Sequence, residues 1–224
     1  MSAKGTLPRA LLLADHMSGW QRGRPARTGL PCGAMNFLGH LFLSGDDPLV
    51  ITGNFMADAV KGRDLSRFSA GLQRGIRLHR RIDSFTDGHR MGHPGHVRLR
   101  AHAGHYAPVV MDLFRDHLLA RDWRRWHDEP LAAFSARMYR LLRAHEGHMP
   151  ERTRRMLPYM VQGDWLTSYA SLEGIGAALH GLSVRVPLGA RMAGAEAVLA
   201  DHIADFEQEF GEFLPAIIRH LQAA

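Results

Sequence analysis

The residues best suited to chemistry lie between His40 and His117. In the segment from Gly75 to Asp87, His79, Asp83 and Asp87 recur at intervals of four. On a helix such residues stand one turn above another along a single face. A neutral imidazole and a carboxylate so placed offer two ligands to a divalent cation without distorting the backbone. The same spacing also suits a surface ion pair in which Arg80 and Arg81 neutralise the acids, and spacing alone leaves both readings open. A second segment, Met111 to Leu119, carries Asp112 and Asp116 four apart and His117 beside them, among Leu113, Phe114 and Leu118. Carboxylates in so apolar a stretch are costly to bury unless paired or bound to metal. Asp58 repeats the theme within Gly53–Val60, and His40 within Met35–Leu41. Donors on successive helices can converge in the interior of a bundle, where metal sites are commonly built.

The elements that must position these groups read as helices. Phe37, Leu38, Leu41 and Phe42 follow helical spacing. Asp47 and Pro48 form a cap and first position for a helix expected to reach Lys61 and stop at Gly62. Ser66 or Ser69 should start a long helix running through Arg80 to about Thr86, before Gly88, Gly92 and Pro94-Gly95 break the path. Further helices are expected over 107–122, over 131–144 behind an Asp128 cap, and over 152–162 and 172–182. A last long one, over 191–220, should bend at Gly211 and Pro215. No alternating strand pair, repeat or phosphate-cradling glycine loop is evident, so the fold class is all-α, a single-domain helical bundle over 35–224. Residues 1–34 differ: Gly, Pro and Arg punctuate them, and they read as a flexible basic extension.

Composition bounds the rest. The chain has 224 residues, 46% of them hydrophobic and 22% charged, which is globular. The single cysteine, Cys32, allows no internal disulfide, so a reducing, cytoplasmic setting is expected. No apolar run is long enough for a membrane helix, and the start does not read as a secretory signal. Net charge is +6. Seven arginines fall between Arg74 and Arg100 against Asp83 and Asp87, and six acids lie between Glu196 and Glu212. A basic face in mid-sequence favours an anionic ligand or acidic partner; a merely solvated face fits equally. Basicity alone supports nucleic-acid binding, with no recognisable motif behind it. The histidines His89, His93, His96, His102 and His105 are interrupted by Gly and Pro, so they make a poor scaffold. Trp123 is assigned to the core as readily as to a contact surface.

Four motifs resemble those of the acyl-carrier-protein phosphodiesterase (holo-ACP hydrolase) family. They are Asn36-Phe37-Leu38-x-His40, Gly53-Asn54-x-x-Ala57-Asp58, His79-Arg80-Arg81-Ile82-Asp83-x-x-Thr86-Asp87 and Asp112-x-x-x-Asp116-His117, in that order. The resemblance runs from Met35 to near the C-terminus and leaves residues 1–34 outside. It implies removal of the 4′-phosphopantetheine arm from holo-acyl carrier protein, an acidic partner, with a divalent cation, commonly manganese and otherwise magnesium. It also implies kinship with the all-helical His-Asp metal phosphohydrolases, although Asp116-His117 reverses the usual pair.

On that reading the metal ligands come from His40, Asp58, His79, Asp83, Asp112, Asp116 and His117. The catalytic set is Asp83, Asp87, His117 and Arg80. Arg80, Arg81, Asn54 and Arg77 contact substrate, and Asn54 and Thr86 orient ligands. Arg74, Arg77, Arg80, Arg81 and Arg90 form a rim that steers the acidic partner. The alternatives are a phosphohydrolase of small phosphate esters and a non-catalytic module that grips an acidic partner.

Overall fold

A computed structural model describes residues 37–90 and 94–223; the extension expected over 1–34, and His93, lie outside them. Eleven α-helices span the described residues, and no strand occurs among them. In chain order they are α1 (Phe37–Phe42), α2 (Pro48–Met56), α3 (Ala70–Arg90), α4 (Pro94–Ala103), α5 (Ala107–Arg121) and α6 (Leu131–Ala144). There follow α7 (Glu151–Gln162), α8 (Trp165–Ser168), α9 (Leu172–Ser183), α10 (Ala195–Asp201) and α11 (Ile203–Gln222). The all-α reading holds. One hydrophobic core joins them, with Leu38, Ile51, Ile76, Leu113 and Phe114 fully buried.

Local chemistry sets the boundaries. Asp47 Oδ1 accepts the amides of Leu49 and Val50 at 2.9 and 3.3 Å, with Pro48 at the first turn of α2. That helix ends at Met56, short of Lys61, because the chain tightens into a 3-10 turn over Ala57–Ala59. Gly62 then takes φ +86°, which favours glycine. Helix α3 runs past Thr86 and Gly88 to Arg90. A mid-helix glycine costs about 1 kcal/mol, and here Phe85 and His89 stack on each other and pack at a tilt against Phe213, at ring separations of 5.3, 6.1 and 5.5 Å.

Three expectations need correction. Pro94-Gly95 opens a helix instead of breaking one. Gly95 N donates to Glu209 Oε1 at 2.7 Å, and Leu99 and Ala103 bury the helix's inner face, so His96 and His102 do have an apolar scaffold. The final helical stretch divides at His202, while Gly211 and Pro215 sit inside α11. The carbonyl facing the Pro215 ring belongs to Gly211, the most compliant of residues, so the helix absorbs the proline. Asp128 caps nothing: Pro130 precedes α6, and Glu129 instead pairs with Arg137 at 2.7 Å.

The contact that positions the site is between α2 and α3. A Cβ on Gly53 would meet Leu72 O at 2.3 Å, and one on Gly75 would meet Val50 O at 2.2 Å and Asn54 N at 2.7 Å. The two backbones therefore touch with no side chain between them. Asn54 follows Gly53, and His79 lies one turn beyond Gly75, so this crossing brings the two together. Gly75→Ala should force the helices apart, at a cost of about 1–3 kcal/mol or more for overpacking against rigid backbone. A lowered urea midpoint with an unchanged slope would register it.

Candidate metal centre

Helix α1 supplies His40, α2 supplies Asn54, the 3-10 turn supplies Asp58, and α3 supplies His79 and Asp83. The imidazoles of His40 and His79 stack with centroids 4.1 Å apart. Both are buried, with side chains 5% and 7% exposed, whereas Asp83 and Asp58 are 35% and 29% exposed. The centre thus opens to solvent on its carboxylate side.

Asn54, wholly buried, organises the rings. Its Nδ2 donates to His40 O at 3.0 Å and to Ser44 Oγ at 2.8 Å, and Ser44 Oγ donates to His40 O at 2.7 Å. A carbonyl can only accept, so the amide orientation is fixed. Its Oδ1 then faces both rings, 2.8 Å from His40 Nδ1 and 3.0 Å from His79 Nδ1. An amide oxygen only accepts, so both Nδ1 atoms carry hydrogen. In the neutral rings both Nε2 lone pairs consequently point away from Asn54, toward the carboxylates. Locking the tautomer through the far ring nitrogen is how proteins orient metal-binding histidines.

The Nε2 atoms meet the acids. His79 Nε2 is 3.2 Å from Asp83 Oδ2 and 3.2 Å from Asp58 Oδ1, and His40 Nε2 is 3.3 Å from Asp83 Oδ1. That last approach is an ion-pair distance without hydrogen-bond geometry, which leaves His40 Nε2 buried without a hydrogen bond among the described residues. One ligand atom each from His40, His79 and Asp83 fits within a 4.8 Å span, the only such group among the described residues. An orphaned buried nitrogen aimed at a shared carboxylate is what a cation would satisfy, so these residues fit a divalent metal. Two imidazoles and a carboxylate, with no sulfur among them, are a donor set used by open divalent-metal sites.

Electrostatics agree. Burial opposes a charge on His79, but Asp58 and Asp83 outweigh it and raise the ring to about 9. Burial pushes Asp83 up, yet His40 and His79 hold it far below the usual carboxylate range. In chelator, His79 binds its proton with a pKa of about 9 when folded against 6.5 in the reference state. Its stabilisation is therefore complete below pH 6.5 and is lost as pH rises through about 9. Melting temperature in chelator should fall across that window, while cation affinity rises because the metal displaces a proton. A flat melting profile over the same range contradicts the assignment.

Comparison with known proteins decides the family. A sequence profile described as acyl carrier protein phosphodiesterase matches residues 35–217. The chain belongs to that family. A relative from Pectobacterium atrosepticum, named acyl carrier protein phosphodiesterase, is 33% identical over 186 residues, covering 83% of this chain and 96% of the relative. One of the same name from Photorhabdus laumondii is 31% identical over 182 residues, 81% and 92% of the two chains. Another from Escherichia coli O157:H7 is 29% identical over 185 residues, 82% and 96%. No solved structure matches the chain.

Of the ligands expected for such a family member, the structure gathers His40, His79 and Asp83, with Asp58 on His79. It places Asp112, Asp116 and His117 elsewhere. Asp116 accepts the amides of Leu38 and Gly39 at 3.0 and 2.8 Å, so its carboxylate serves the N-terminus of α1. Burial raises its pKa well above the usual range, the two amides opposing. Asp112 lies 3.4 Å from Arg115, whose guanidinium covers the Phe213 ring at 4.0 Å. His117 Nδ1 bonds Tyr169 O at 2.8 Å, tying α5 to the end of α8. Burial lowers the pKa of that ring. These three residues are buried polar groups satisfied by backbone or by a neighbouring cation, which is the common fate of such groups.

The arginines expected to meet phosphate have partners within the fold. Arg80 Nη2 donates to Gly62 O at 2.7 Å and Val60 O at 3.4 Å. Arg81 Nη2 reaches the last carbonyls of α11, His220 O at 3.3 Å and Leu221 O at 3.5 Å. Arg77 bonds Gln73 at 2.9 Å, and Asp87 is exposed one turn beyond Asp83, outside the group. Thr86 Oγ1 is buried without a partner among the described residues and touches no ligand. Asn54 is buried beneath the rings, with its amide oxygen toward both. Sequence reading missed Ser44. Its signal is its place four residues after His40, from which a serine bonds back to the carbonyl one turn earlier.

Proposed function

We propose that this chain hydrolyses the phosphodiester joining 4′-phosphopantetheine to the carrier serine of holo-acyl carrier protein, using a divalent cation held by His40, His79 and Asp83. One observation carries the reading: Asn54 aims two buried Nε2 lone pairs at a shared carboxylate, in a chain whose relatives bear the name of this activity. Bound there, the cation, manganese or magnesium by donor type, supplies Lewis acidity that acidifies water and offsets charge on the phosphoryl oxygens.

The chain's own residues do the rest. Asn54 and Ser44 keep the two rings in one tautomer and stacked face to face. Asp83 joins them across the opening. Asp58, partly exposed beside His79, accepts the proton of the attacking water as its oxygen bonds phosphorus. The bond from phosphorus to the serine oxygen breaks, and the proton held at Asp58 passes to that oxygen. Carrier protein leaves with a free serine, and 4′-phosphopantetheine leaves with the added hydroxyl.

The test is intact-mass measurement of holo-carrier protein incubated with the protein and Mn²⁺, or with chelator. Conversion to the apo mass, with 4′-phosphopantetheine appearing, is expected only with the cation. A carrier that keeps its arm in the presence of Mn²⁺ overturns the reading.

A further inference from the structure

We infer that the loop following Asp58, through Lys61 and Arg63, is where the acidic face of the carrier protein docks. The inference rests on the phosphodiesterase reading and adds to it the surface that the protein part of the substrate touches. The substrate's chemistry sets the requirement. The scissile phosphorus is one bond from the serine oxygen, so the carrier's own surface must come to the mouth of the centre. A flexible arm cannot bridge a gap here, because the arm lies on the far side of the bond being cut.

The mouth is on the carboxylate side, where Asp83 and Asp58 are partly exposed over buried rings. Lys61 and Arg63 follow Asp58 by three and five residues. At 3.8 Å per residue, Lys61 Cα is at most about 11 Å from Asp58 Cα, and Arg63 at most about 19 Å. Both side chains are exposed. Among the described residues neither has a hydrogen bond or ion pair, whereas Arg74 is paired with Asp47 at 2.8 Å and Arg77 with Gln73.

The loop is also framed. Arg80, next to His79 on α3, donates to the carbonyls of Val60 and Gly62, on either side of Lys61. Val60 is buried, and Gly62 bends the chain at φ +86°. Two cations without a partner among the described residues are thus held on a short, braced loop beside the exposed carboxylate side of the centre. Exposed cations of this kind act on encounter and on salt dependence more than on chemistry.

The experiment compares wild type with K61E/R63E, using Mn²⁺-loaded full-length protein and holo-acyl carrier protein. Circular dichroism and melting temperature establish that the variant is folded, as two exposed loop positions should allow. KM for the carrier is expected to rise about tenfold or more with kcat within about twofold, and the rise of KM with added NaCl should flatten. A folded variant with KM and salt dependence like wild type overturns the docking assignment. Titration of carrier into wild type separates the two ideas. Binding without release of the arm removes the hydrolase reading, while weaker binding by K61E/R63E in the same titration sustains the docking loop.

Discussion

Asp83→Ala should abolish release of the arm while leaving the fold intact. Asp83 is the one carboxylate among the described residues that reaches both rings, at 3.3 Å from His40 and 3.2 Å from His79, so its loss removes the acid that joins them. The rate should fall further than the roughly 10–100-fold typical of losing a partner that merely orients a ligand. The fold should survive, because the side chain is partly exposed on α3 and alanine is the better helix former. In chelator below pH 6.5, however, stability should fall with the lost support for the charged His79 ring. The protonation of His79 offers a second reading that does not depend on turnover. With only Asp58 left to favour the charged ring, its pKa in chelator should drop from about 9 toward the ordinary value. Nitrogen-detected NMR titration of the ring would report this. Retained turnover in a folded, cation-replete variant would remove α3 from the mechanism.

Asn54→Leu is the second large effect, and it differs in kind. Leucine has similar volume but neither accepts from the two Nδ1 atoms nor donates to His40 O and Ser44 Oγ. Each buried polar group so stranded costs about 1–3 kcal/mol, which makes this the most destabilising single change expected at the centre. The rings also become free to exchange tautomers, so cation affinity should fall by roughly 10–100-fold. Titration with Mn²⁺ followed by electron paramagnetic resonance measures affinity directly, and a denaturant melt measures stability. Affinity within twofold of wild type in a folded variant would mean the rings are oriented by something else. Asp83→Ala and Asn54→Leu thus separate holding the cation from aiming the groups that hold it.

Much of this arrangement was legible in the sequence, for identifiable reasons. His79 and Asp83 share a helix, and a four-residue interval fixes their relative position before any tertiary contact is known. The all-α class and the spans of α5, α6 and α7 followed from apolar periodicity. What could not be read was which neighbour a buried polar residue faces. Asp116 and His117 lie in an apolar helix just as His40 does, and periodicity treats them alike. In space, Asp116 meets the start of α1 and His117 meets Tyr169 O, so backbone satisfies both. The partners of the arginines were out of reach for a related reason: charge counting registers a cation, but not whether a carbonyl engages it, as at Arg80 and Arg81. Helix ends at glycine and proline were misplaced where tertiary contacts, such as Phe206 and Glu209 against Gly95, overrode local preference.

The crossing of α2 over α3 has a consequence for how the molecule breathes. Main chain resting on main chain leaves neither voids to collapse nor rotamers to rearrange, so this pair can separate only by a large, concerted opening. Amides from Ile51 to Phe55 and from Ile76 to Arg80 should therefore be among the slowest to exchange with deuterium, and the exposed 184–188 turn, in the other half of the chain, among the fastest. Partial opening of that other half would leave Asn54 seated against His79, so the capacity to bind a cation should outlast the first steps of denaturation.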